Sequence, residues 1–356
     1  MPIPTDSARF LAEAARAAPS ADNSQPLDFS WDGREFVVSY SHARGTDKLY
    51  GPQSHLTLLA VGACLENVDA AMSALGIGGK WKLEETTMAS GVPYAKLCID
   101  DAACVPQLPA NLPLFNRHAN RFPYKKSPIP AELTGRVEGL TRASARLIVL
   151  QSDRQKTALA GHARIAAEAR FCTREIHEWL TDSLRFTPAE SGSGHGLDVR
   201  TLRLPPGGSM FLRFIEDWNR LAWLNRFGLF KVMAITETML LRDAPELICI
   251  VGGMEPASVI DAGRLLSRVW TDLNAMGLAV HPYYVITDQL LRLQSAQVPA
   301  AMIERVEQIR TGLPRLLGTA FDESLHIILR IGFPRVHPRR AQRLPLETVY
   351  KDLTSA

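Results

Sequence analysis

Two stretches of this chain, set 201 positions apart, read alike. The first is Gly62-Ala63-Cys64-Leu65-Glu66-Asn67-Val68-Asp69-Ala70-Ala71-Met72-Ser73-Ala74-Leu75-Gly76-Ile77. The second is Gly263-Arg264-Leu265-Leu266-Ser267-Arg268-Val269-Trp270-Thr271-Asp272-Leu273-Asn274-Ala275-Met276-Gly277-Leu278. At that constant offset Gly62 falls on Gly263, Leu65 on Leu266, Val68 on Val269, Ala74 on Ala275 and Gly76 on Gly277. Both stretches place apolar residues at helical spacing and end on a glycine suited to a left-handed cap. Each follows further helical pattern, at 55–61 and 257–262, and leads into an extended segment. Two amphipathic helices can share a pattern by chance, but glycines matched at both ends favour a duplicated unit. Two copies are too few for a solenoid.

The 356 residues accommodate about two domains or one large two-lobed unit. With 46% hydrophobic and 22% charged residues the chain can bury a sizeable core. Strand signals fall at 35–40, 94–99, 146–150, 247–252 and 325–332, with another strand starting near Asp28. Helical patterns separate them, which predicts a mixed α and β class with sheets covered by helices. A join at 105–116, broken by Pro106, Pro109 and Pro113, divides the chain into halves 1–110 and 111–356. The net charge of +3 is too small to argue for nucleic acid or an anionic membrane, and it leaves room for a local basic pocket. With no run of about 18 apolar residues, no membrane span is expected. Residues 1–7 lack the basic and apolar regions of a secretory leader. Five cysteines, Cys64, Cys98, Cys104, Cys172 and Cys249, form no C-x-x-C pair, against both a disulfide framework and a tetrathiolate metal site. Cys64, Cys98 and Cys249 lie in apolar patterns and are expected to be buried. The expectation is a reducing, cytoplasmic protein.

Four segments carry candidate chemistry. After a helical run at 10–18, Pro19-Ser20-Ala21-Asp22-Asn23-Ser24-Gln25-Pro26 ends the helix and offers short polar side chains and free N–H groups. It suits a flat, polar-edged ligand, and equally a helix-to-strand turn. Asn116-Arg117-His118-Ala119-Asn120-Arg121 places three potential cations within five residues, ahead of a helix entry at Pro128-Ile129-Pro130. Such a cluster reads as an exposed basic turn or as an anion clamp, because guanidinium forks match phosphate oxygens. A polar stretch at 187–196 reads as a mobile loop. The aromatic stretch 210–233, with Phe211, Phe214, Trp218, Trp223, Phe227 and Phe230, reads as core or as a ligand cover. Gly76-Ile77-Gly78-Gly79 lacks the third glycine of a dinucleotide fingerprint, and no H-E-x-x-H or Walker loop is present.

Taken in order, these segments resemble the nitroreductase superfamily, whose members bind FMN. Pro19, Ser20, Asn23 and Gln25 match its P-S-x-x-N-x-Q-P segment. Arg117, His118 and Arg121 match its phosphate motif R-[RH]-S-x-[RK], with Ala119 in place of the usual serine. Ala279-Val280-His281-Pro282-Tyr283-Tyr284 resembles the stretch that faces the flavin N5 edge through main-chain groups, so His281, Pro282 and Tyr283 are carried over by position. The tail, Pro338-Arg339-Arg340-Ala341-Gln342-Arg343, resembles the one that returns a cation to the phosphate, with Arg343 best placed and Arg339 and Arg340 as alternates.

The first half has P-S-x-x-N without the clamp and the second has the clamp without P-S-x-x-N. The resemblance therefore implies a single-chain, pseudo-dimeric molecule of the Acg-like branch. Its α+β fold would be duplicated, with two mixed or antiparallel sheets packed with helices and the halves mimicking a homodimer. It implies one FMN per chain, a lid at 205–235, and hydride transfer from NAD(P)H to a small organic substrate such as a nitro compound, a quinone or a biosynthetic intermediate. No catalytic side chain and no metal are implied. Storage of FMN beneath the lid is the alternative, and loss of flavin, prompted by Ala119, a third. The chain is expected to be a monomeric pseudo-dimer or a weak homo-oligomer, without nucleic-acid or membrane partners.

Overall fold

The computed structural model describes residues 5–44, 49–84, 93–100, 108–109 and 111–354. In chain order the strands are β1 (Leu27–Trp31), β2 (Glu35–Tyr40), β3 (Gly79–Leu83), β4 (Ala95–Ile99), β5 (Ala145–Leu150), β6 (Leu184–Arg185) and β7 (Leu197–Asp198). Then come β8 (Glu246–Gly252), β9 (Ala279–Tyr283), β10 (Ser324–Gly332) and β11 (Tyr350–Asp352). One sheet has the order β11-β1-β2-β4-β3, a second β5-β8-β10-β9, and β6 and β7 form a short pair. The first sheet combines antiparallel pairs with the parallel β1–β11 pair, and the second is antiparallel throughout. The class is α+β.

The repeat marks the centre of the molecule. Helices His55–Leu75 and Pro256–Ala275 pack on each other, and the matched glycines are the reason they come so close. A Cβ on Gly62 would overlap the carbonyl oxygen of Ile260, and one on Gly263 would overlap that of Leu59. The contact is reciprocal: each helix offers the other its glycine. Ser267 Oγ donates to Asn67 Oδ1 at 2.7 Å across the same interface. The caps follow the expectation too, with Gly76 at φ 65° and Gly277 at φ 79°. Helix His55–Leu75 is long and apolar enough by composition to cross a membrane, yet it is mostly buried inside the protein.

Strand patterns explain the layers. β2 alternates buried and half-buried residues, as expected of a sheet covered on one face. β8 is buried at every position. Its Ile248 and Ile250 join the core shared with the two central helices, whereas Leu247, Cys249 and Val251 face a second core beneath helices Asp153–Phe171 and Ile303–Leu317. The first core holds residues of both expected halves.

Five strands lie within one residue of their expected ends. The join at 105–116 falls partly outside the described residues, as do residues 1–4 and Cys104. The chain also crosses that division, since β11 returns to pair with β1 (Phe29 with Tyr350). Two local expectations need correction. Cys98 is exposed: β4 turns Ala95 and Leu97 inward and Cys98 outward, where its Sγ donates to Glu35 at 3.4 Å. The 187–196 stretch contains a helix, Pro188–Gly192, started by a capping box between Thr187 and Glu190.

Candidate functional site

Helix Thr5–Arg16 ends just before Pro19, and its last carbonyls organise the site. Arg117 Nη2 donates to the Ala17 carbonyl at 2.6 Å, and Arg343 Nη2 donates to the same oxygen at 3.3 Å. A helix C-terminus carries partial negative charge and draws cations. Two guanidinium groups, 226 positions apart in the chain, thus meet on one acceptor. The segment before Arg117 is a 3-10 turn, Pro113–Asn116, and the segment after it is tied to the second sheet. Asn120 N donates to the Val280 carbonyl at 2.8 Å beside an Ala119–Val280 bridge. The second repeat holds the middle: His118 N donates to Asn274 Oδ1 at 2.8 Å, and Trp270 Nε1 donates to the His118 carbonyl at 3.0 Å. Arg117 lies 4.5 Å over the Trp270 ring.

These elements enclose a cavity of about 1330 Å³. Pro19, Ser20 and Asn23 line it from one side, and Arg117, His118 and Arg121 from another. His281, Pro282 and Tyr283, from edge strand β9, also line it, as do Arg339, Arg340 and Arg343 of the tail. The exception among the expected residues is Gln25, which is buried away from the cavity. Its Nε2 donates to the Gly194 carbonyl at 2.8 Å and its Oε1 accepts from Leu344 N at 3.1 Å, so it fastens two loops together. The Asn23 side chain is similarly engaged, donating to the carbonyls of Gly194, Gly196 and Gln342 and accepting from Arg343. Asp22, Asn23 and Gln25 all have positive φ, between 44° and 61°. Non-glycine residues hold that conformation only where their surroundings fix it, and such strain concentrates at binding sites.

The electrostatics favour an anion. Burial, and then the Arg343 charge, pull the Arg117 guanidinium well below its ordinary pKa. Burial and Arg16 lower Arg343 to about 10. Arg121 is lowered by burial, against which Asp22 and Tyr124 act. His281 lies well below its usual value through burial, Arg330 and Arg121, and so stays neutral. Among the described residues no carboxylate is bonded to Arg117, Arg121 or Arg343, and the buried Arg117 Nε has no acceptor. Arg340 is engaged with the Phe115 carbonyl at 3.3 Å and Asn116 Oδ1 at 3.1 Å, and Arg339 is exposed.

The motifs leave several residues of the site unmarked. Arg16 reaches the Leu344 carbonyl at 2.5 Å, which seats the tail. Buried Arg330 donates to the carbonyls of Asn120 and Phe122 at 3.0 and 2.9 Å and lies 3.9 Å over the Tyr124 ring. Trp270 and Asn274 align with Asp69 and Ser73 of the first copy, and no motif in the sequence marks them. The aromatic stretch divides: Phe230 packs against a small core of Ala169, Val298, Met302 and Val306. Phe211, Leu212, Ile215, Val232, Met233 and Leu240 line the cavity, while Phe214, Trp223 and Phe227 are exposed.

No family model matches the chain, and no curated protein matches it. Among solved structures, the FMN and NADPH-dependent nitroreductase NfnB from sphigopyxis sp. strain HMH aligns at 18% identity and a TM-score of 0.36, over 67% of this chain and 95% of its own. NfnB from Mycobacterium smegmatis, an FMN-dependent nitroreductase in complex with NADPH, aligns at 14% identity and 0.37, over 66% and 94%. An NADPH:FMN oxidoreductase from Vibrio harveyi, complexed with NAD+, aligns at 11% identity and 0.36, over 67% and 74%. Likeness at these values carries no conclusion about chemistry, which rests on the residues of this chain.

Proposed function

We propose that the chain binds one FMN and acts as an oxidoreductase of nitroreductase type on a small organic substrate, with NAD(P)H as reductant, in a cytoplasmic setting. The observation that carries this reading is the meeting of Arg117, Arg121 and Arg343, without a bonded carboxylate, in one cavity with Ser20 and the 281–283 strand segment. The donor set fits a phosphate. An orphaned buried Nε on Arg117, and an Arg121 that makes no hydrogen bond or ion pair among the described residues, offer planar forks to phosphate oxygens. A phosphate there offsets both the burial of these cations and their mutual repulsion. Ala119 contributes no hydroxyl, so the guanidinium groups supply the anchoring. When bound, the isoalloxazine supplies hydride chemistry that no side chain provides.

What the chain contributes is binding, orientation and exclusion of water. His281, kept neutral by burial among cations, adds no charge beside the ligand. The apolar residues of 208–242 cover one side and keep water from it. Because one chain carries both the Ser20 wall and the arginine wall, we infer one site per chain, with halves that mimic a homodimer as in the Acg-like branch.

The roof formed by 208–242 favours the second reading, storage of FMN. The volume favours turnover, because about 1330 Å³ exceeds the roughly 300–1,000 Å³ of a single small-molecule site and leaves room for a second molecule. The purified protein tests both. Yellow protein that bleaches near about 450 nm on anaerobic addition of NADH or NADPH supports the oxidoreductase. Flavin retained without bleaching by either supports storage. Colourless protein that cannot be reconstituted with FMN overturns both.

A further inference from the structure

Segment 208–242 carries eight of the fourteen large hydrophobic side chains left exposed among the described residues. Met210 is 74% exposed, Phe227 76%, Val232 61% and Trp223 56%. Exposed apolar clusters of this kind mark interaction surfaces. The same segment exposes five cations, Arg213, Arg220, Arg226, Lys231 and Arg242, against two carboxylates, Glu216 and Asp217, with Asp243 just beyond its end. Asp217 caps helix Trp218–Asn225, accepting from Arg220 N at 3.0 Å, and Asp243 pairs with Arg242 at 3.0 Å. Arg226 makes no ion pair among the described residues, and Lys231 lies 5.7 Å over the Phe230 ring.

We propose that this face docks on an anionic lipid surface. Short amphipathic helices that mix aromatic and basic side chains settle at the boundary of headgroups and acyl chains, where tryptophan is favoured. Anionic lipid complements the excess of cations. A second copy of the chain does not, because a two-fold interface sets like charges against one another. Three of the eight, Phe211, Val232 and Met239, line the cavity, so the docking surface rests on Met210, Phe214, Trp223, Phe227 and Ile235, which are exposed and do not line it. The whole-chain charge of +3 conceals the face, which is why composition predicted no membrane partner. Docking stands independently of the flavin reading.

Co-sedimentation with vesicles tests this. The full chain is expected to pellet with vesicles of phosphatidylcholine mixed with phosphatidylglycerol, less with phosphatidylcholine alone, and less at high salt. Trp223→Glu combined with Phe227→Glu, two exposed residues outside the cavity, is expected to abolish pelleting with far-UV circular dichroism and flavin content unchanged. Should that variant misfold, Arg226→Ser with Lys231→Ser is expected to reduce pelleting with the mixed vesicles by roughly tenfold and leave phosphatidylcholine binding alone. Failure of the native chain to pellet with mixed vesicles at low salt overturns the proposal. So does equal pelleting of native chain and variants, or a dimer in sedimentation velocity that the Trp223/Phe227 variant dissolves while vesicle binding is absent.

Discussion

Arg117 and Arg343 share the Ala17 carbonyl, and from that contact the behaviour of the site at the level of single residues follows. Each is held in place by neutral acceptors and left without a counter-charge, so an anion completes what the protein leaves open. Removing a hydrogen bond to a charged group costs about 1.5–3 kcal/mol, so Arg117→Ala with Arg121→Ala should weaken FMN binding by at least roughly 100-fold. Fluorescence titration with FMN measures this, and circular dichroism checks that the variant is folded. Undiminished affinity would remove the clamp. A second residue-level prediction concerns His55 and His326, which stack in the core with Nε2 of one 2.9 Å from Nδ1 of the other, while Tyr284 Oη lies 3.1 Å from His55 Nδ1. Burial, then the His326 charge, lowers His55 to about 3, and burial lowers His326 to about 4. The unfolded chain therefore binds protons that the folded one refuses as the pH falls from about 6.5 to about 4 at His326 and to about 3 at His55. Stability from this pair is complete above about 6.5 and declines as the pH falls through that window. Urea midpoints should fall accordingly, and less steeply in His55→Gln. Arg117 and Arg121 were legible in the sequence because they cluster in a short motif. The buried histidines, 271 positions apart, carry no such mark.

At the scale of elements, the crossing of helices His55–Leu75 and Pro256–Ala275 depends on the absence of two side chains. Gly62→Ala or Gly263→Ala would set a methyl group onto the opposing backbone, and backbone cannot yield as a flexible side chain can. Overpacking of this kind costs about 1–3 kcal/mol or more, so each change should lower the melting temperature by several degrees. Gly161→Ala is the control. It lies inside helix Asp153–Phe171, where an added methyl group would meet nothing within 4 Å, and it should gain roughly 0.5–1 kcal/mol from helix propensity alone. A calorimetric scan in which the three variants moved together would refute the packing argument. The expected strands at 35–40, 94–99, 146–150, 247–252 and 325–332 were readable because apolar runs bounded by turns are a local signal. Strand β11 was not, since three residues without alternation become a strand only beside β1.

For the whole molecule, the C-terminal segment is the strap that joins the two sheets. It leaves β10, passes Arg343 through the site, and ends as β11 on the first sheet, with Leu346 and Val349 in the shared core. A chain ending after Leu344 should lose hydrogen-exchange protection in β1 and bind FMN more weakly, though Arg343 is still present, because the segment that carries it is no longer tethered beyond the site. Protection in β1 equal to that of the full chain would show that the strap is dispensable.

The amino-acid sequence by itself determined the duplicated helix with its glycines, the α+β alternation and the candidate cations, all of them local patterns of spacing and chemistry. Only the tertiary structure decided that the matched glycines face each other, that Gln25 fastens loops and does not line the cavity, and that the aromatic stretch at 210–233 covers the cavity with part of its apolar surface outside. The reason is physical. A repeat or a motif fixes what a segment can bury or bind, whereas the partner it meets depends on how far-separated segments share one core and one carbonyl.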